Sequence, residues 1–318
     1  MKINFKGLIA FVCLSFTFSA ILLSGCAGSA DTETGKLKYR QQNWQEAESA
    51  LVKGLMMDKT DEEAWYMLGH SQVKLGKFDD AQKSFKQVMA ISNKYADNIK
   101  FLWGETYNSG VEKYNNALKS LKTNDTVISK KSFQEALNLF IGTTKIIPDS
   151  IKPYSIIGDT YSYLGNPDKA YDAYKFAYDK TKSKEDAQKV ATSLYEKGVL
   201  VFKTGDFTAS ADAFNKIMTF ENLSKESNVY EASVYYYALS KAATGADVRD
   251  KKPESDDYKA YFKEAQRVLE PLLTNLKNKE SLEIRVYELL INIYASLGDS
   301  QKATDYLKIK TELENKKK

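Results

Sequence analysis

The chain has little of what enzymes work with. It holds one histidine, His70, and two cysteines, Cys13 and Cys26, among 318 residues. A serine or cysteine triad would have to recruit His70, and no serine near it sits in a sharp strand-to-helix turn. There is no P-loop and no G-x-G-x-x-G stretch to cradle a phosphate. A metal would have to be held by carboxylates alone, at Asp61-Glu62-Glu63, Asp79-Asp80 or Asp256-Asp257. Each of these clusters reads better as acid in the first turn of a helix, where the helix field favours it. Nothing singles out a carboxylate pair for glycoside hydrolysis. The expectation is no catalytic residue, no metal, no cofactor and no enzyme.

An excess of one charge is missing too. The formal net charge is +4, and Lys2 and Lys6 are the only charges in the first 25 residues, so the remainder carries +2. A nucleic-acid binder would normally show a strong basic patch. Prolines number only five. No alternating apolar and polar run reads as a strand, whereas helical periodicity appears in every informative window. With 43% hydrophobic residues the chain is long enough for a sizeable core.

Long apolar runs are limited to the N-terminus. Lys2 and Lys6 give a positive start, and Gly7–Leu23 follows as an apolar run of 17 residues. This is the anatomy of a secretory signal, and the run is short for a membrane span. Its end, Leu23-Ser24-Gly25-Cys26, resembles the lipobox of bacterial lipoproteins. That resemblance implies cleavage before Cys26, a diacylglycerol on its thiol and acylation of the new amino group. Residues 1–25 would be a removed signal, and 26–35 a lipidated flexible tether. Two or three acyl chains make a durable anchor where one alone holds poorly. Ala27 follows the cysteine, and the absence of Asp there implies the outer membrane, facing the periplasm, in a Gram-negative source. Gly28-Ser29-Ala30 also fits an ordinary signal-peptidase site, and an uncleaved anchor is a further alternative. Cys13 would leave with the signal, so the mature chain has no free thiol or disulfide.

The remaining chain is organised around Ile151–Lys182. Tyr154, Ile157, Gly158 and Tyr161 recur on one helical face. Gly165 suits a residue just past a helix end, Asn166 an N-cap and Pro167 a first helical position. Ala170, Tyr174 and Ala177 form a facing stripe, with Gly158 and Ala170 small where the helices approach. The same hairpin recurs with Trp65, Leu68, Gly69 and Gly76-Lys77-Phe78 before Ala81, Phe85 and Val88. It recurs again with Leu194, Gly198 and Gly205-Asp206-Phe207 before Ser210 and Phe214, and with Tyr287, Leu290 and Gly298-Asp299-Ser300 before Ala303 and Leu307. Asn43–Ala47 with Leu51 is the second half of an earlier copy. Ala47 to Ala81 spans 34 positions, as does Ala136 to Ala170. Period and pattern resemble the tetratricopeptide repeat. The resemblance implies an all-α, right-handed solenoid of about seven antiparallel helical hairpins over residues 36–318.

Departures locate insertions. Ala81 to Ala136 is 55 positions, 21 beyond the period, with the excess near 107–131 as a hairpin of long helices. Ala170 to Ser210 is 40, with the extra residues near 183–189 as a longer linker. Ser210 to Ala265 is again 55, with the insertion near 245–259; Asp247–Asp257 reads as a charged loop. The first copy has almost no apolar stripe before Asn43, so its first helix is expected short or frayed. Of Tyr235, Tyr236 and Tyr237, consecutive on a helix at about 100° each, at least one should leave the core.

In the family, the first helices of the hairpins line a concave groove. On that basis Tyr66, His70 and Lys74, then Asp159 and Tyr163, then Tyr195 and Phe202, are candidate partner-binding residues. Lys152, Ser155, Thr192 and Val199 share that sense. The resemblance implies a non-catalytic, membrane-anchored scaffold or adaptor that binds protein partners of the cell envelope during its assembly, with no nucleic acid involved. The alternative is a glycan- or small-molecule-binding lipoprotein of an uptake system.

Overall fold

The computed structural model describes residues 27–276 and 280–315. The expected signal, Cys26 and Lys316–Lys318 lie outside them. The described residues form fourteen α-helices and no strand. In chain order they are α1 (Ala27–Arg40), α2 (Trp44–Met57), α3 (Glu62–Lys74), α4 (Phe78–Ile91), α5 (Ala96–Lys122), α6 (Thr126–Ile146) and α7 (Lys152–Tyr163). There follow α8 (Pro167–Thr181), α9 (Lys184–Lys203), α10 (Phe207–Met218), α11 (Asn228–Lys251), α12 (Tyr258–Leu273), α13 (Glu280–Leu297) and α14 (Ser300–Asn315). Taken in consecutive pairs they make seven helical hairpins, and the all-α hairpin fold expected from the repeats is the one observed. The chain divides into two compact units, one ending at Pro153 and one beginning at Tyr154. No described helix is long and apolar enough to cross a membrane.

Short polar side chains start several of the helices, though Asn166, expected as a cap, makes no side-chain cap bond. Asp61 accepts from the Ala64 N–H at 2.9 Å, Asp125 from Ile128 at 3.0 Å, Ser183 from Asp186 at 3.0 Å and Asp206 from Ala209 at 3.0 Å. Each satisfies a backbone donor that the helix itself leaves unpaired. The ends of the first helices are equally regular. At Gly76, φ is +72°, and the next N–H reaches back from Lys77 to the Gln72 carbonyl at 2.8 Å. The Asn166–Tyr161 and Asp299–Tyr294 bonds repeat it at 2.9 Å. Gln42 (φ +58°) does the same work with a side chain that disfavours it, and Asn43 bonds back to Lys38 at 3.0 Å.

Within the hairpins one contact recurs. A glycine on the first helix faces a large side chain 16 positions later on the second. A Cβ on Gly35 would stand 2.6 Å from Leu51, on Gly69 2.5 Å from the Phe85 ring, and on Gly198 2.8 Å from the Phe214 ring. Gly158 faces the Tyr174 ring in the same way. In the long hairpin Gly110 meets Phe140, 30 positions on, at 2.7 Å. Phe85, Phe140, Tyr174 and Phe214 are all buried. Where the last hairpin carries Ile291 at the glycine register, its partner Leu307 is 50% exposed.

Four expectations are corrected. The stretch expected as a tether through Gly35 is helical from Ala27, because Thr32 is buried, Gly35 and Gly54 allow α1 and α2 to close together, and Lys36 pairs with Asp61 (2.9 Å) and Glu63 (3.0 Å). The extra residues near 183–189 lengthen α9 instead of a linker; Asp186 is buried and accepts from the Thr181 and Ser183 hydroxyls at 2.5 and 2.8 Å. The charged stretch from Asp247 is helical through Lys251, so the loop shrinks to the turn before Tyr258. None of Tyr235, Tyr236 and Tyr237 is exposed, since α11 is packed by α9, α10, α12 and α13. The long hairpin near 107–131 is present as α5 and α6, of 27 and 21 residues.

Two substitutions test this packing. Gly158→Ala should lower the stability of the second unit by about 1–3 kcal/mol, because its methyl must displace the Tyr174 ring; Gln42→Gly should raise that of the first by about 1 kcal/mol, by relieving a left-handed side-chain residue. Urea titration followed by circular dichroism reads both, and an unchanged midpoint for Gly158→Ala would remove the dock as a constraint.

Candidate functional site

The first helices of the hairpins carry the candidate residues, and each unit is described by itself. In the first unit Tyr66, His70 and Lys74 follow each other at four-residue spacing along one face of α3. Tyr39 comes from α1 and Trp44 from the start of α2. The Tyr39 hydroxyl lies 2.5 Å from His70 Nδ1. The Trp44 ring stacks on His70 with centroids 5.6 Å apart, and Tyr66 stacks on Tyr95 at 4.7 Å. Tyr39 meets both Trp44 (5.6 Å) and His70 (5.3 Å) edge-on.

This box sets the protonation of its members. Burial, with the Lys74 charge adding to it and Glu105 opposing, depresses the His70 pKa to about 4, so the ring is neutral near pH 7. Burial first, and then the neighbouring Tyr66, push the Tyr39 hydroxyl up, so it stays protonated. The Tyr39 O–H therefore donates to Nδ1, and the ring proton sits on Nε2, an assignment made from the network. That Nε2 is buried without a hydrogen-bond partner. Lys74 is exposed and 3.6 Å from Glu105 on α5. His70 and Tyr66 are thus half-buried supports of the face, and Lys74 is its accessible edge.

In the second unit Asp159 is a structural tie. It accepts from the Tyr174 hydroxyl at 2.7 Å and pairs with Lys189 at 3.2 Å, joining α7, α8 and α9. Lys189 also donates to Ser155 at 2.8 Å. Tyr163 is 50% exposed. Tyr195 and Phe202, both on α9, meet the Tyr236 ring edge-on at 5.7 and 6.0 Å. Arg285 of α13 completes this cluster: its guanidinium carbon lies 4.4 Å from the Tyr235 ring centre and 5.7 Å from that of Tyr236. Arg285 is exposed, and no described carboxylate forms an ion pair with it. The structure thus brings Tyr195 and Phe202 together, and Asp159 and Tyr163 stand apart from them on α7. Arg285 was not among the candidates. Arg285 was findable, because it follows Lys152 by 133 positions, the same interval that separates Gly165 and Gly298.

Among the described residues no group of three or more histidines, cysteines, aspartates or glutamates is placed to hold a metal ion. The first unit also has a separate cleft of about 710 Å³, lined by Phe85 and Met89 of α4, Ile99 of α5 and Ile146, with Lys83, Lys86 and Lys145 among its polar lining. It includes none of the candidate residues.

Comparison with known families finds tetratricopeptide-repeat models over residues 38–98 and 157–219. Comparison with curated protein sequences finds no match. Among solved structures, the chain resembles the C-terminal part of a TPR repeat-containing protein from Cytophaga hutchinsonii, at 16% identity and a TM-score of 0.41, covering 89% of this chain and 95% of that one. It also resembles residues 41 to the end of MamA from Desulfovibrio magneticus RS-1, at 12% identity and a TM-score of 0.39, covering 65% and 96%. A third is the P58(IPK) TPR domain, at 15% identity and a TM-score of 0.27, covering 96% and 90%.

The His70 environment has a pH signature. Its folded pKa of about 4 lies below the ordinary 6.5, so the unfolded chain binds the extra proton in between. The stability this contributes is full above pH 6.5 and is lost as pH falls towards 4. Urea titrations at pH 7 and 4.5 should show a larger loss for wild type than for His70→Phe, which keeps an aromatic ring and does not titrate; equal losses would sink this assignment.

Proposed function

We propose that this chain, which carries tetratricopeptide repeats over residues 38–98 and 157–219, is a non-catalytic scaffold that binds segments of protein partners along the first-helix faces of its hairpins. The observation that carries the reading is Arg285. Its charged head is exposed, rests on two tyrosine rings and has no described carboxylate partner. Arginine and tyrosine on a fixed shelf are the residue types that dominate binding energy at protein interfaces. Tyr195 and Phe202 pack against the Tyr236 ring of this shelf, and in the first unit Lys74 and Glu105 edge the tyrosine–histidine box. Partly buried aromatic bodies with polar ends suit recognition because they lose little side-chain entropy on binding.

We further propose that Cys26 is lipidated and holds the scaffold to a bacterial membrane, the outer membrane facing the periplasm, where its partners are envelope proteins under assembly. The N-terminal residue pattern Leu23-Ser24-Gly25-Cys26 supports this reading. The glycan or small-molecule reading has less behind it. Sugar rings stack on exposed aromatic faces, and the 710 Å³ cleft is lined mainly by aliphatic side chains and lysines.

The test is crosslinking in the native envelope, followed by capture and mass spectrometry, of wild type beside Lys74→Ala with Arg285→Ala. Both positions are exposed, so the fold is kept. One or two envelope proteins should fall at least tenfold in the variant; an unchanged set of captured proteins would count against the first-helix faces. Labelled palmitate should enter wild type and not Cys26→Ser.

A further inference from the structure

The tip of the α5–α6 hairpin differs from every other turn of the first unit. Measured from the Gly110–Phe140 dock, α5 runs 12 residues to its end at Lys122, against 5 from Gly69 to the end of α3. At 1.5 Å per residue the tip stands about 10 Å farther out. Its form is fixed. The Ser129 hydroxyl, buried, donates to the Ala117 carbonyl at 3.0 Å, and Asp125 caps α6. At this fixed tip Val127 is 79% exposed, Ile128 54% and Leu121 39%.

The charge around these apolar side chains has one sign. Lys119 and Lys122 end α5, and Lys130 and Lys131 follow the tip on α6. The only acid between Lys113 and Glu135 is Asp125, whose carboxylate is engaged with the Ile128 N–H at 3.0 Å. None of the four lysines has a described carboxylate within ion-pair distance, whereas seven other lysines of the unit do, Lys113 and Lys145 among them.

We propose that this tip is a membrane contact: Leu121, Val127 and Ile128 enter the headgroup–acyl boundary of an anionic bilayer, and the four lysines lie among its phosphates. An apolar wedge with a basic collar is the pattern of an interfacial anchor. Each lysine near an anionic surface gains about fivefold in partitioning, and the gain falls away within a Debye length. The one acid among the four lysines, Asp125, is engaged in capping α6, so the collar presents positive charge, and an anionic lipid surface rewards each lysine. The contact is independent of any lipid at Cys26.

The test uses the full chain reconstituted into vesicles of phosphatidylcholine alone, or with one-third phosphatidylglycerol. Hydrogen–deuterium exchange is read by mass spectrometry over residues 119–131. Amides there should exchange at least fivefold more slowly on the anionic vesicles, and 0.5 M salt should reduce the difference. Lys119→Glu with Lys122→Glu, and separately Val127→Asn with Ile128→Asn, should each return the rate to that on neutral vesicles, with circular dichroism unchanged. Equal rates on the two vesicles, protection that survives the Asn pair, or protection that appears only when envelope proteins are added would overturn the proposal, the last in favour of a protein docking site.

Discussion

A glycine on one helix facing a bulky side chain on the next is the contact from which the hairpins are built. It sets how closely the two helices lie, since a side chain in the glycine's place would overlap the ring opposite it. It also fixes register. The interval of 16 positions from Gly35 to Leu51, Gly69 to Phe85, Gly158 to Tyr174 and Gly198 to Phe214 is the length of half a helix, a turn and half a helix. The long hairpin keeps the dock and lengthens only what lies between its halves. Fourteen extra positions separate Gly110 from Phe140, about two helical turns on each side. An insertion of whole turns leaves both faces pointing as before, so α5 and α6 can extend without disturbing the core beneath them. That is how one hairpin acquires a tip of distinct chemistry while its base stays a repeat.

Once the register is fixed, the outward chemistry of the first helices follows. Tyr66, His70 and Lys74 on α3 correspond to Ser155, Asp159 and Tyr163 on α7, each counted back from its turn glycine. The positions are equivalent and their occupants are not. In α3 the central position is a histidine that burial keeps neutral, received by a tyrosine. In α7 it is an aspartate tied to Lys189 and Tyr174. The first supports an uncharged aromatic surface with a charged edge at Lys74 and Glu105. The second spends its charge inside the repeat, and an exposed cation on a tyrosine shelf comes only with Arg285, three hairpins later. Two faces built on one geometry therefore offer different chemistry to whatever lies along them.

Much of this was legible because repeats leave the same residue types at the same intervals. The turn glycines, the caps and the docked aromatics each state one local requirement, and the requirements agree from copy to copy. What was not legible depends on neighbours that a single copy does not name. The stretch before Gly35 is small and polar and reads as a tether, yet Thr32 and Gly35 are the residues that let α1 lie against α2. Tyr235, Tyr236 and Tyr237 point around their helix, and the inference that one must be exposed assumed a single buried face. With four helices around α11, there is no exposed side for the ring to reach. Arg285 escaped for the converse reason: a charged residue on a helix reads as solvated until its position on the tyrosine shelf is seen.

The last hairpin shows what the dock controls. Ile291 fills the place that glycine holds in five other hairpins, and Leu307 opposite is half exposed, unlike the buried Phe85, Phe140, Tyr174 and Phe214. With a branched side chain between them, α13 and α14 cannot bring a large residue into the same gap. The buried side of α13 is instead served by Val286, Leu289, Leu290, Ile293 and Tyr294, which belong to the main core of the second unit. Helix α14 has no fully buried residue among those described. The cost of giving up the glycine therefore falls on α14 alone. Helix α13 keeps its inward packing, and the face that carries Arg285 keeps its place on the tyrosines of α11.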